Sequence, residues 1–144
     1  MYDWVKMVSA FMLTSLMGAS SLEASDRAFN LGSIATSQQV KGWDIDVRPD
    51  GVGAPTGSGT PLDGEEIFAD QCASCHGDFG EGVDRWPELV GGYDTLNTYD
   101  PQKTTGSYWP YASTMFDYIY RAMPFGVSQS LSYDETYQIV AYLL

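Results

Sequence analysis

Cysteine and histidine are scarce in this 144-residue chain, which has two of the first and one of the second. Two cysteines cannot build the dense disulfide framework of a small secreted scaffold, and a lone imidazole excludes every metal site that needs two. Positive charge is scarce as well, with 7 Lys and Arg against 19 Asp and Glu and a net charge of −12. Nucleic acid and anionic membrane surfaces repel such a chain, so neither is an expected partner, and a cationic protein or a neutral substrate suits it better. No apolar run reaches the roughly 20 residues that a membrane-spanning helix needs. Internal repeats are also missing, and the length is that of one domain.

The first apolar run extends from Met7 to about Met17, behind Lys6, and gives way to small residues. It reads as a secretory signal peptide over residues 1–24, with cleavage after Ser21 or Ala24, the alternative being an uncleaved membrane anchor. Its loss removes Asp3, Lys6, Glu23 and four of the six methionines, leaving a net charge of −11 with only Met115 and Met123. The acidity therefore belongs to the mature chain.

Residues 25–61 read as an extended N-terminal arm, because a stretch dominated by Gly, Pro, Ser and Thr buries too little apolar area to order itself. Within it Thr36 and Gln39 are spaced as a capping box for one helical turn, and Trp43, Ile45 and Val47 alternate as buried extended residues do. The arm is a candidate strap onto a partner subunit, with a plain linker as the alternative.

Regular structure is expected from residue 62 to 144. Asp63 is placed to cap a helix through Gly64–Cys72, with Glu65 and Glu66 in its first turn, where the helix dipole favours negative charge. Ile67 and Phe68 lead its buried face. A long irregular segment follows over Gly77–Pro110. A second helix fits Ser113–Met123 and stops at Pro124, and a third starts at Ser132 or Asp134 and runs to the end. The plan is a small all-α bundle.

Both cysteines and the histidine fall in Cys72-Ala73-Ser74-Cys75-His76, the C-x-x-C-H haem attachment signature. Two thiols one helical turn apart can each add to a vinyl group on one porphyrin edge, and the adjacent imidazole then swings under the iron. A thioredoxin-like pair would sit at the start of a helix after a buried strand, whereas this one ends a helical pattern. Structural zinc would lack a fourth ligand, and a simple disulfide would leave His76 without a role. The iron's other face has a choice among methionine, lysine, tyrosine, water or nothing. Met123 is the leading candidate, since Pro124 ends its helix and frees the thioether to project, while Met115 lies mid-helix beside Phe116 and reads as core.

The segment from Asp63 to Leu144 resembles class I cytochromes c. Gly64 and Phe68 stand eight and four residues before Cys72, where the family lets two helices cross and covers the haem edge, and Ile139-Val140-Ala141-Tyr142-Leu143 is similar to its C-terminal helix. Pro87-Glu88-Leu89 is similar to the P-x-L element, and the resemblance implies that the Pro87 carbonyl accepts a hydrogen bond from the His76 ring. It also implies one covalent haem c ligated by His76 and Met123, in a chain that moves electrons and does no bond-making chemistry of its own.

A closer resemblance covers GWDIDVRPDG, CASCHGDFGEGVDRWPELVGG, TTGSYWPYASTMFDYI and RAMPFG. These segments are similar to the c-type cytochrome subunits of the sulfur (sulfane) dehydrogenases of bacterial thiosulfate-oxidising Sox systems, with sulfite dehydrogenase cytochromes the nearest alternative. That implies a periplasmic protein, a partner subunit carrying the molybdenum cofactor, and a soluble cytochrome as acceptor. Relatives with a second haem domain exist, and the stop at Leu144 falls inside a helix that usually runs a turn further, so a truncated C-terminus is expected. A haem-based sensor of small ligands is the reading from a different class.

Around the motif, Trp109 in Tyr108-Trp109-Pro110-Tyr111 is a candidate hydrogen-bond donor to a haem propionate, with core cover as the alternative. Tyr118 or Tyr120 is a weaker candidate donor to the Met123 sulfur. The acidic run Asp78, Glu81, Asp84 and Glu88 either steers a cationic partner or is a solvated face.

Overall fold

The computed structural model describes residues 31–144. The expected signal peptide and the arm up to residue 30 lie outside the described residues. Two compact units divide the chain, Met1–Ala35 and Thr36–Leu144. The second contains six helices among the described residues: α1 (Ser37–Trp43), α2 (Pro61–Gln71), α3 (Ala73–His76), α4 (Thr105–Tyr108), α5 (Ala112–Ala122) and α6 (Tyr133–Leu143). Its only β-pairing among those residues is an isolated bridge between Val83 and Trp86.

The helix starts follow from side chains that occupy otherwise unpaired backbone N–H groups. Thr36 and Gln39 form the expected capping box on α1, and Ser132 with Glu135 forms another on α6, so Ser132 is the cap there rather than Asp134. The cap of α2 is Thr60, not Asp63. Pro61 takes the first helical position, where its missing N–H costs nothing, and this sets the start three residues earlier than the carboxylate suggests. Asp63 instead closes the turn, accepting the Thr60 hydroxyl at 2.6 Å. The expected irregular stretch over Gly77–Pro110 contains α4, because Thr104 and Ser107 cap it reciprocally.

Helices α2 and α6 form the principal contact of the bundle, and they cross at Gly64. A β-carbon there would collide with the Gln138 carbonyl and meet Tyr142 Cβ at 2.9 Å. One turn on, Phe68 and Tyr142 place their rings 5.1 Å apart. The core gathers Phe68 from α2, Met115, Phe116 and Ile119 from α5, and Ile139, Val140 and Leu143 from α6. Each of the large side chains contributes about 1.5–3 kcal/mol by leaving water.

From Val47 onward the arm does not stand off the bundle. Val47 is buried in the core, its N–H donates to Asp117 Oδ1 at 2.7 Å, and Ser113 Oγ donates to the Pro49 carbonyl at 2.8 Å. Further along, the Ser58 N–H reaches Asp134 Oδ1 and the Tyr137 hydroxyl reaches the Pro55 carbonyl, each at 2.8 Å. The alternation of Trp43, Ile45 and Val47 is only partly a burial pattern, since Val47 is buried and Ile45 half-buried while Trp43 is 88% exposed.

Candidate functional site

The motif lies where α2 gives way to α3. Cys72 leaves helical geometry at φ −123° and caps both helices, so α3 leads away from α2 with Cys75 and His76 in one turn. Gly77 then takes φ +80°, a conformation open to glycine because it has no β-carbon. The following loop folds back on the motif, with the Gly82 N–H donating to the His76 carbonyl at 2.7 Å.

Two adjoining cavities open beside α3. One, of about 180 Å³, is lined by Cys72, Cys75, His76 and Met123 together with Phe68, Leu131 and Ile139. The other, of about 310 Å³, is lined by Pro87, Thr105, Trp109 and Met115. His76, Trp86, Leu89, Ile119, Met123 and Leu143 line both, so the two are lobes of one site. Both thiols, the imidazole and the Met123 thioether therefore face one space walled mainly by hydrocarbon. Burial, with the neighbouring Cys75 adding, pushes the free Cys72 thiol up to about 11.

Pro124 supports the placement of Met123. A residue before proline is pushed out of helical geometry, and Met123 caps α5 in extended backbone at φ −119° and ψ 154°. The spacing Met115, Ile119, Met123 puts two cavity residues on one face of α5 and the third at its C-cap. Met115 is buried core, as expected, and lines the second lobe as well.

Across the site, His76 Nδ1 lies 3.3 Å from the Pro87 carbonyl oxygen. Trp109 meets Tyr118 edge-on at 5.5 Å between ring centroids. Neither Tyr118 nor Tyr120 hydrogen-bonds Met123 among the described residues; Tyr120 stacks on Phe116 and meets Tyr133 at a tilt instead. The acidic run contains two internal partners. Glu81 accepts the Phe79 N–H at 2.8 Å, and Glu88 accepts from Gln102 at 3.1 Å. The Glu88 backbone N–H, then Gln102, holds that carboxyl below its usual range. At the Tyr142 end of the site, burial and then the charges of Glu65, Glu81 and Asp78 push the phenol up.

Sequence reasoning assigned Cys72, Cys75, His76, Met123, Pro87 and Trp109 to the site, and all six line it. It gave no site role to Trp86, Ile119, Leu131 or Thr105. The i, i+4 step from Met115 to Ile119 to Met123 is a signal for Ile119, while Leu131 arrives from a loop and Thr105 from the first position of the short helix α4.

The donor set fits haem c: two thiols that could form thioether bonds, an imidazole and a thioether that could ligate iron, and an apolar wall that would exclude water. Residues 59–143 match the family model described as cytochrome C oxidase, cbb3-type, subunit III. No curated protein matches the chain. Among solved structures, the crystal structure of the sulfane dehydrogenase SoxCD from Paracoccus pantotrophus contains a chain 53% identical, with a TM-score of 0.72. The alignment covers 80% of this chain and 57% of that one, so this chain spans little more than half the length of that relative. The all-α bundle is that of class I cytochromes c, and the chain belongs to the c-type cytochrome family that the matching model defines, with haem c as its cofactor.

Proposed function

We propose that this cytochrome is the electron-transfer subunit of a periplasmic sulfur dehydrogenase, taking electrons from a molybdenum-cofactor subunit that oxidises sulfane sulfur during thiosulfate oxidation and passing them to a soluble cytochrome. The observation that carries it is the 53% identity, over 80% of the chain, to a chain of the SoxCD sulfane dehydrogenase. No helix among the described residues is long and apolar enough to cross a membrane.

Haem c supplies a one-electron redox change when bound. The chain's own residues do the rest. Cys72 and Cys75 would tether the group covalently, and His76 and Met123 would ligate its iron. The Pro87 carbonyl accepts a hydrogen bond from the His76 Nδ1–H and fixes the ring, while Phe68, Leu131, Ile139 and Leu143 keep water out. A small domain that encloses a ligand incompletely by packing retains it through the two thioethers.

The test is to mix the haem-loaded chain with a molybdenum-cofactor subunit of a sulfane dehydrogenase and follow reduction of the haem optically. Rapid reduction when protein-bound sulfane sulfur is added is expected. Reduction by sulfite alone would assign the cytochrome to a sulfite dehydrogenase, and no reduction by either would defeat the reading.

A further inference from the structure

Thr104 and Thr105 are buried hydroxyl residues at the start of a four-residue helix; the Thr104 hydroxyl caps that helix, while the Thr105 hydroxyl takes no part in the cap. Thr104 Oγ1 donates to the Gly91 carbonyl at 2.7 Å. Thr105 Oγ1 donates to the Leu89 carbonyl at 2.6 Å, and the Thr105 backbone N–H reaches the same oxygen at 3.2 Å. One residue thus places two donors on a single carbonyl, two positions along the chain from the Pro87 carbonyl that faces His76.

Leu89 is held from its other side as well. Its N–H donates to the Gly80 carbonyl at 2.7 Å, in the loop whose Gly82 N–H holds the His76 carbonyl. The segment Pro87–Leu89 therefore belongs to a closed hydrogen-bonded ring that includes His76, and Thr105 ties that ring to the start of α4. Buried as it is, the Thr105 hydroxyl has no water to replace it, and its removal leaves Leu89 with only the longer N–H contact.

We infer that Thr105 is a positioning residue for His76, its hydroxyl fixing the Leu89 carbonyl and thereby the Pro87 carbonyl that orients the imidazole. This rests on the reading of His76 as an iron ligand. A firmly held Pro87 carbonyl strengthens the bond from the His76 N–H and makes the ring more basic. A more basic ligand favours the oxidised metal, so loosening the Leu89 anchor raises the reduction potential.

The experiment uses the full, haem-loaded chain. Thr105→Val keeps the shape and removes the hydroxyl; Thr105→Ala serves if valine prevents folding; Thr105→Ser restores the donor. In the valine or alanine variant the midpoint potential is expected to rise, and the His76 Nδ1 proton, followed by paramagnetically shifted NMR, to exchange with solvent about fivefold faster. The serine variant is expected to match wild type in both. Unchanged potential and exchange in a folded valine or alanine variant would overturn the inference, as would a serine variant shifted equally. A wild-type protein without a coordinated-imidazole signal would remove the ligand reading and this inference with it. A wild-type signal insensitive to Thr105 would overturn the inference alone.

Discussion

Asp117 on α5 accepts the backbone N–H of Val47 at 2.7 Å across 70 residues of chain. The same Oδ1 takes Arg121 Nε at 2.8 Å, and the guanidinium's second nitrogen bridges to Oδ2. The carboxylate thus joins an intrahelical ion pair to the docked arm. Burial by itself would raise its pKa, but the hydrogen bonds from Arg121 and then Val47, with the Arg121 charge, outweigh burial and hold it below the usual carboxylate range.

Asp117→Ala is expected to free the arm, with the Val47 amide losing protection from hydrogen exchange and stability falling by about 1–3 kcal/mol, the range for a charge-assisted hydrogen bond. The pH dependence follows from the sign. A carboxyl whose folded pKa lies below its unfolded value stabilises fully above the unfolded value, and that contribution is lost as pH falls through the folded one. Exchange at Val47 in wild type should therefore accelerate in acid beyond the general rate, and in the alanine variant this extra step should vanish.

Gly64→Ala tests the helix crossing. Alanine favours a helix by about 1 kcal/mol over glycine, yet its β-carbon would meet the Gln138 carbonyl and Tyr142 Cβ. Overpacking of this kind costs about 1–3 kcal/mol. A net loss of roughly 1–2 kcal/mol is expected by denaturant unfolding of the haem-loaded protein, with a larger loss for Gly64→Val. A stabilised alanine variant would show that α2 and α6 do not cross in contact there.

Met123→Ala is expected to keep its haem through denaturing electrophoresis, because attachment depends on the cysteines, and to lose the sixth ligand. His/Met ligation raises the reduction potential, so the variant's potential should fall. Its reduced form should bind carbon monoxide readily while wild type does not. Equal carbon monoxide binding by both proteins would defeat Met123 as the ligand and favour a ligand sensor.

Much of this was legible because the signals are local. Thr36 with Gln39 specifies a helix start within four residues, and Cys72, Cys75 and His76 specify their chemistry within five. Gly64 and Tyr142 were readable only through a family resemblance, since nothing near either residue names its partner. The cap of α2 was missed because proline at the first helical position outweighed a nearby carboxylate, and α4 because Ser107 replaces the glutamate or glutamine usual in a capping box. The docking of the arm lay beyond sequence reading. Val47 and Asp117 meet only after the bundle has formed, and a Gly- and Pro-rich composition describes a segment that cannot order itself, not one that a neighbour orders.

Trp109 decides between two roles that the cavity alone leaves side by side. Its ring lines the second lobe and meets Tyr118 edge-on, which suits plain cover, while its indole N–H is a donor suited to a carboxylate at the cavity mouth. Trp109→Phe keeps an aromatic ring against Tyr118 and removes the donor, whereas Trp109→Leu removes both. Leucine should cost roughly 2–4 kcal/mol through lost volume and the lost edge contact, and phenylalanine about 1 kcal/mol or less. If the N–H donates to a haem propionate, phenylalanine leaves that negative charge less compensated, favours the oxidised iron and lowers the potential. The expected result is a phenylalanine variant close to wild type in unfolding free energy but lower in midpoint potential, read by redox titration of the purified protein. A potential unchanged in the phenylalanine variant and shifted only with leucine would assign Trp109 to cover alone.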